Sequence, residues 1–226
     1  GAALQSTYTQ NIGKNFNFAV EYMGLRSQGL YRRELAASNN FIFSAKFNSN
    51  NNRYKFFTHY IHQNVNNEEN GGIADMSLFL GDDSRFKNRQ NLPVNLENTE
   101  TRFSYRRYYF SQEFQFINSE RFPFKVRHTI FHQANKYRYL QTGTESYYQK
   151  PLLEDFDPYA YKFSKNLSNT VSLLFDKPTF KLEAGVRHQL INLGTDRELP
   201  TSVGVAIPLD NKENRLRIDM TTQVTI

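Results

Sequence analysis

Near the end of the chain, Leu216, Ile218, Met220, Thr222, Val224 and Ile226 alternate strictly with Arg215, Arg217, Asp219, Thr221, Gln223 and Thr225. A period of two marks a β-strand with one apolar and one polar face. The pattern recurs in TFKLEAGVRHQL, where Phe180, Leu182, Ala184, Val186 and Leu190 oppose Lys181, Glu183, Arg187 and Gln189. In NFNFAVEYMG, Phe16, Phe18, Val20 and Tyr22 alternate with Asn15, Asn17, Ala19 and Glu21. In NFIFSAKFN, Phe41, Phe43, Ala45 and Phe47 oppose Ile42, Ser44 and Lys46, and TSVGVAIPL sets Val203, Val205, Ile207 and Leu209 against Ser202, Gly204 and Ala206. Arg102 to Phe116 is less regular: its apolar face switches near Arg106 and Arg107, which predicts a bulge there.

Five short segments rich in turn-forming residues lie between these runs: Asn11 to Asn15, Asn48 to Asn52, Ile117 to Arg121, Asp176 to Pro178, and Asp210 to Asn214. They predict five hairpins and about ten strands. Long connections fall at about 24–39, 64–100 and 142–167, with a shorter one near Gly194 to Pro200. Strands of about ten residues suit a bilayer crossing at ~45° tilt. Short turns at one rim and long loops at the other is the asymmetry of bacterial outer-membrane barrels, whose long loops face the cell exterior. The expected fold is therefore all-β, an antiparallel transmembrane β-barrel forming a single domain over 1–226 or part of a longer one. The alternative is a soluble or surface-exposed β-sandwich that binds glycan or protein, its apolar stripes packed against each other. Ten strands would put both chain ends at the long-loop rim, whereas barrels of this type hold both termini at the short-turn rim. The opening GAALQSTYTQNIGKN also has no basic start and apolar core, so further strands are expected beyond each end.

Composition sharpens this reading. A mean hydropathy of −0.68 with 38% hydrophobic residues is lean for a compact soluble core, yet 20 Phe and 14 Tyr are too many for a disordered chain. Long strands with one apolar and one wet face satisfy both. The absence of cysteine excludes disulfides and thiolate metal sites. The net charge of +6 is scattered through alternating segments rather than gathered into a patch, which suits lining and loop residues and not nucleic-acid binding.

One stretch carries a family resemblance. Gly24 to Tyr31 (GLRSQGLY), the hairpin around Asn48 to Arg53, and NNEENGGI at Asn66 to Ile73 resemble the "putative porin" family of Bacteroidota outer membranes, with a weaker echo in LPVNL (Leu92 to Leu96) leading into TRFSYRRYYFSQEF. The resemblance covers about half the chain and rests on structural rather than catalytic motifs. It implies an outer-membrane location, lipid as the surrounding partner, and a porin-like role. That role is passive diffusion of small solutes or service as the barrel subunit of an envelope assembly with other envelope proteins. No enzymatic activity and no cofactor are implied.

If the apolar stripes face lipid, Lys46, Lys55, Lys125, Arg127, Lys181, Glu183, Arg187, Arg215, Arg217 and Asp219 point to a water-filled lumen. An Arg or Lys on the lipid face near the midplane costs about 2–4 kcal/mol. The loop segment Asn66, Asn67, Glu68, Glu69, Asn70, Gly71 and Gly72 is a candidate interface with another protein. Other motifs carry less. His59 and His62 point to opposite faces of a strand, and His128 and His132 lie ~13 Å apart at about 3.3 Å per residue, too far for one metal. Ser84-Arg85-Phe86-Lys87 matches S-x-x-K without the rest of the penicillin-binding signature. Asp75, Asp82 and Asp83 match no calcium loop. No Ser/His/acid set for a lipid-cleaving barrel can be assembled, so catalytic and metal residues are not assigned.

Overall fold

The computed structural model describes residues 1–117, 119, 122–142, 159–177, 179–196 and 210–224. Nine strands follow one another in a single antiparallel sheet, each paired with its neighbours in sequence. They are β1 (Ala2–Ile12), β2 (Phe16–Ser27), β3 (Ala36–Asn48), β4 (Tyr54–Glu68), β5 (Thr99–Ile117), β6 (Phe124–Gln141), β7 (Tyr159–Asp176), β8 (Phe180–Asp196) and β9 (Asp210–Val224). The fold is all-β, as the alternation predicts. The sheet is open, since β1 and β9 do not pair. Among the described residues no second sheet faces the apolar stripes.

Four of the five predicted turns join strands at one rim: after Ile12, Asn48, Ile117 and Asp176. The first contains Gly13 at φ 64°, a left-handed conformation that glycine adopts at little steric cost. The fifth prediction is overturned. Asp210 to Asn214 are not a turn but the start of β9, paired with Gly194 back to Leu190. The predicted strand Thr201 to Leu209 lies outside the described residues. In consequence RLRIDMTTQVTI runs towards the short-turn rim, with Val224 opposite Phe180, and not outward as the ten-strand count requires.

The long connections are shorter than read from sequence because the flanking strands extend into them. β2 reaches Ser27 and β3 starts at Ala36; β4 reaches Glu68 and β5 starts at Thr99; β7 starts at Tyr159. These extensions carry polar residues on both faces, so backbone pairing continues where the two-residue period has stopped. The bulge is also displaced. Register is continuous through Arg106 and Arg107 and shifts between Gln115 and Ile117. The face switch in β5 therefore needs no backbone defect: at 19 residues the strand runs well beyond the stretch that alternates, and its upper part is free of the one-sided apolar pattern.

Register sorts the side chains onto two faces, and their burial is inverted relative to a soluble protein. On β7 the apolar Leu167, Val171 and Leu173 are 41%, 52% and 46% exposed, while Ser168 and Ser172 between them are 9% and 5% exposed. Val186, Leu190, Leu216, Ile218 and Met220 continue the exposed apolar face across β8 and β9. A polar face that is more crowded than the apolar one is the concave side of a curved wall. That is the geometry of a barrel seen from within.

Candidate pore-facing surface and rim

All ten predicted lining residues fall on the polar face, and pairing links them into rows. One row runs Asn48–Lys55–Glu113–Arg127–Ser172–Gly185–Asp219 across seven strands. Within it Arg127 on β6 donates to Glu113 on β5 at 2.8 Å through Nε, and its Nη1 reaches over β7 to Glu183 on β8 at 2.9 Å. Ser172 and Gly185 are the smallest side chains in this row. A Cβ added to Gly185 would collide with Ser172 Oγ, so the ground under the guanidinium is tightly fitted. Lys55 adds a looser contact to Glu113 at 3.6 Å.

Towards the short-turn rim, Asp176 accepts from Lys125 at 2.7 Å and lies 3.5 Å from Lys181. Towards the sheet edge, Asp219 lies between Arg187 and Arg217, 3.5 and 3.6 Å away. Arg215 pairs with Glu213 on its own strand. Lys46 has no acidic partner among the described residues. The structure thus gathers nine of the ten into ion pairs that span the sheet, and most of these pairs join different strands. Glu113, Asp176 and Glu213, the acids that complete them, are not legible as a set without the register.

The opposite face carries a feature that single-strand reading misses: two girdles of aromatic rings. Near the short turns Phe47 stacks on Phe56 at 5.6 Å, and Phe124 meets Phe116 and Phe175 at 6.2 and 5.2 Å. Further up, Phe41, Tyr60, Tyr108 and His132 form a second chain, with centroid separations of 6.2, 4.9 and 5.9 Å. An apolar band edged by aromatic girdles is a pattern that transmembrane β-barrels carry on their outward face. His128 and His132 belong to this face. His128 bonds Gln112 and Asn169 at 3.2 and 2.8 Å. His59, on the polar face, stacks on Tyr109 at 4.9 Å.

At the other rim the connection from Glu69 to Asn98 is ordered by its own core. Leu92 is 0% exposed, and Val94 and Leu96 are buried as well. Thr99, Thr101 and Gln141, at the upper end of the polar face, are also buried, and Glu69 at the start of this connection meets Thr101 there. A short bridge between Ile73 and Val94 closes it. The segment Asn66 to Gly72 supplies much of the frame. Asn66, Asn67 and Glu68 belong to β4. Glu68 bonds Arg33 at 2.5 Å, Glu69 accepts from Thr101 at 2.5 Å, Asn70 bonds Arg32 O at 3.3 Å, and Gly72 O accepts from Asn95. Gly71 adopts φ 64°, and a Cβ there would sit 2.8 Å from Leu96 Cγ. Gly71→Ala is therefore expected to weaken the loop by about 1–2 kcal/mol and to speed tryptic cleavage at Arg85, Lys87 or Arg89 roughly tenfold. Unchanged cleavage would show that the loop does not depend on this contact.

Ser84–Lys87 forms one 3-10 turn and Met76–Leu80 one short α-helix. Asp83 caps the first, and the Arg85 side chain and backbone N–H hold its carboxyl below the usual carboxylate range. Asp75 caps the second and is held low by the Ser77 hydroxyl and backbone N–H. A depressed carboxylate stabilises the fold above its unfolded pKa and loses that contribution as pH falls through the folded one. Amide exchange at Ser77 and Arg85 is therefore expected to accelerate below about pH 4, relative to strand amides measured in the same sample. Equal pH response at both would remove the capping role.

A family model described as "Putative porin" matches residues 1–225. The chain belongs to that family. Among solved structures, the porin-family sheet is similar to the ferric citrate transporter FecA in its unliganded form (9% identity, TM-score 0.44, 97% of this chain and 38% of that one). It is also similar to the ferric-catecholate import receptor Fiu from E. coli K12, closed form (11% identity, TM-score 0.32, 97% of this chain and 46% of that one). The chain thus spans less than half the length of either receptor. No curated protein sequence matches it. Family membership, with the all-β antiparallel sheet, gives a porin-like β-barrel protein.

Proposed function

We propose that this porin-family chain forms part of the wall of an outer-membrane channel in a Bacteroidota-type bacterium and passes small solutes by passive diffusion. The observation that carries the reading is the inverted burial: apolar side chains exposed between two aromatic girdles, with paired charges on the concave face. Lipid is the partner that suits the first surface and water the partner that suits the second. The ten lining residues then act as a polar, mildly cationic inner surface. Protein refolded from detergent is expected to give discrete conductance steps in planar bilayers in KCl. A folded, membrane-inserted protein that stays silent would remove the diffusion role.

A second reading, as the barrel subunit of an envelope assembly, is favoured by one observation. Leu30, Met76 and Leu80 are strongly exposed on connections at the long-loop rim, outside the apolar band. Exposed apolar side chains at one rim suit a protein neighbour, and the framed Asn66 to Gly72 segment lies beside them in sequence. Recovery of a stoichiometric partner in mild detergent, lost in Leu30→Ser/Leu80→Ser, tests this; a partner retained by the variant excludes that surface.

A further inference from the structure

The polar face is not uniformly polar. Phe57 on β4 lies on it and is 44% exposed, although a phenyl ring facing a water-filled interior gains nothing from hydration. Directly opposite, on β3, stands Lys46. Two residues before Phe57 on the same face stands Lys55. Lys46 carries no hydrogen bond or ion pair among the described residues. Lys55 has one acid, Glu113 at 3.6 Å, whose carboxylate is already held by Arg127 at 2.6 Å. Two ammonium groups with free donors therefore flank one exposed ring. The three line a shallow cavity of about 240 Å³ together with Asn48, Ser111 and Glu113. β4 lies in the interior of the sheet, so the exposure of Phe57 does not come from a sheet edge.

We infer that Phe57, Lys46 and Lys55 form a binding subsite on the pore-facing surface for small anions that carry a flat apolar face, with aromatic carboxylates as the ligand class. The ring supplies an offset-stacking platform. Each lysine is a compact charge on a flexible stem that can close on a carboxylate from either side. A simple inorganic anion satisfies only the lysines, and a neutral arene only the ring, so selectivity arises from both together. The edge of the platform is set by neighbouring rings: His59 lies 5.8 Å and Tyr109 6.0 Å from Phe57, centroid to centroid. These rings extend the apolar surface up the wall, away from the short-turn rim. The inference rests on the channel reading for its physiological meaning, while the site itself exists whether or not the wall conducts.

The test uses the full chain refolded in detergent, with sodium benzoate as probe and acetate and benzamide as controls, followed by calorimetry and ligand-observed saturation-transfer NMR. Benzoate is expected to bind at least about fivefold more tightly than either control, the range for one or two exposed charge contacts added to a stacking contact. Phe57→Ala is expected to bring benzoate down to the level of acetate, and Lys46→Gln/Lys55→Gln to bring it down to the level of benzamide. Folding of each variant is checked by circular dichroism. Equal binding of benzoate and acetate, or benzoate binding unchanged in Phe57→Ala, overturns the subsite. Conductance in KCl alone is recorded on the same preparations. A conducting protein that ignores benzoate refutes the subsite and keeps the channel, whereas a silent protein that binds it selectively refutes the channel and keeps the subsite.

Discussion

Val171→Arg is expected to destabilise the vesicle-inserted protein by about 2–4 kcal/mol, while Thr170→Arg on the adjacent position costs less than about 1 kcal/mol. The two sites are neighbours on β7 and have nearly the same depth, but they point to opposite faces of the sheet. Val171 belongs to the exposed apolar band, and on the proposed channel reading a guanidinium there would have only hydrocarbon around it. Thr170 shares its row with Arg187 and Arg217, so a cation there enters a wet surface already built for charge. The contrast discriminates sharply, because in water the half-exposed Val171 would accept arginine within about 0.5 kcal/mol. The chain lacks tryptophan, so urea unfolding in phospholipid vesicles is followed by far-ultraviolet circular dichroism. Equal costs at the two positions would sink the lipid-facing assignment.

Arg127→Glu is the second large effect. Arg127 is the centre of the Lys55–Glu113–Arg127–Glu183 chain and bonds both acids directly. Reversal leaves three carboxylates within reach of one another on a partly enclosed surface. Breaking a buried pair costs about 3–5 kcal/mol; these groups are partly exposed and screened, which reduces the expected loss to about 1–3 kcal/mol. The reversal also changes the local charge by two units, so the zero-current potential in a KCl gradient is expected to move towards cation preference. Glu183→Arg in the same chain is expected to restore part of both properties. A conducting variant whose zero-current potential does not move would show that this row does not face the ion path.

How far the sequence reached depends on where each residue sits relative to the apolar band. Within the band one face is apolar and the other polar, and Phe180 to Leu190, Phe16 to Tyr22 and Phe41 to Phe47 are assigned to faces by alternation alone. Outside it both faces carry polar residues, the composition loses its period, and the strand signal fades while the hydrogen-bonded ladder continues. That is why Asp210 to Asn214, with Asp, Asn, Lys, Glu and Asn in succession, reads as a turn and is a strand end. It is also why the bulge was expected at Arg106 and Arg107: the change of pattern there marks the point where β5 leaves the band. The true register shift at Gln115 to Ile117 leaves no compositional trace.

The sequence by itself determined the all-β class, the apolar and polar faces of β2, β3, β8 and β9, and four of the short turns. A strict two-residue period needs no partner to be read, because it follows from the pleat of the single strand. Only the tertiary structure decided which residues stand opposite one another. The row that joins Lys55, Glu113 and Arg127, the reach of Arg127 over Ser172 to Glu183, the ladder of rings from Phe41 to His132, and the placing of Phe57 against Lys46 all depend on register between strands. The burial of Leu92, Val94 and Leu96 depends on the two ends of one connection pairing at Ile73 and Val94, about twenty positions apart. These are contacts between residues up to tens of positions apart, fixed by backbone pairing and packing, and a local pattern carries no information about them.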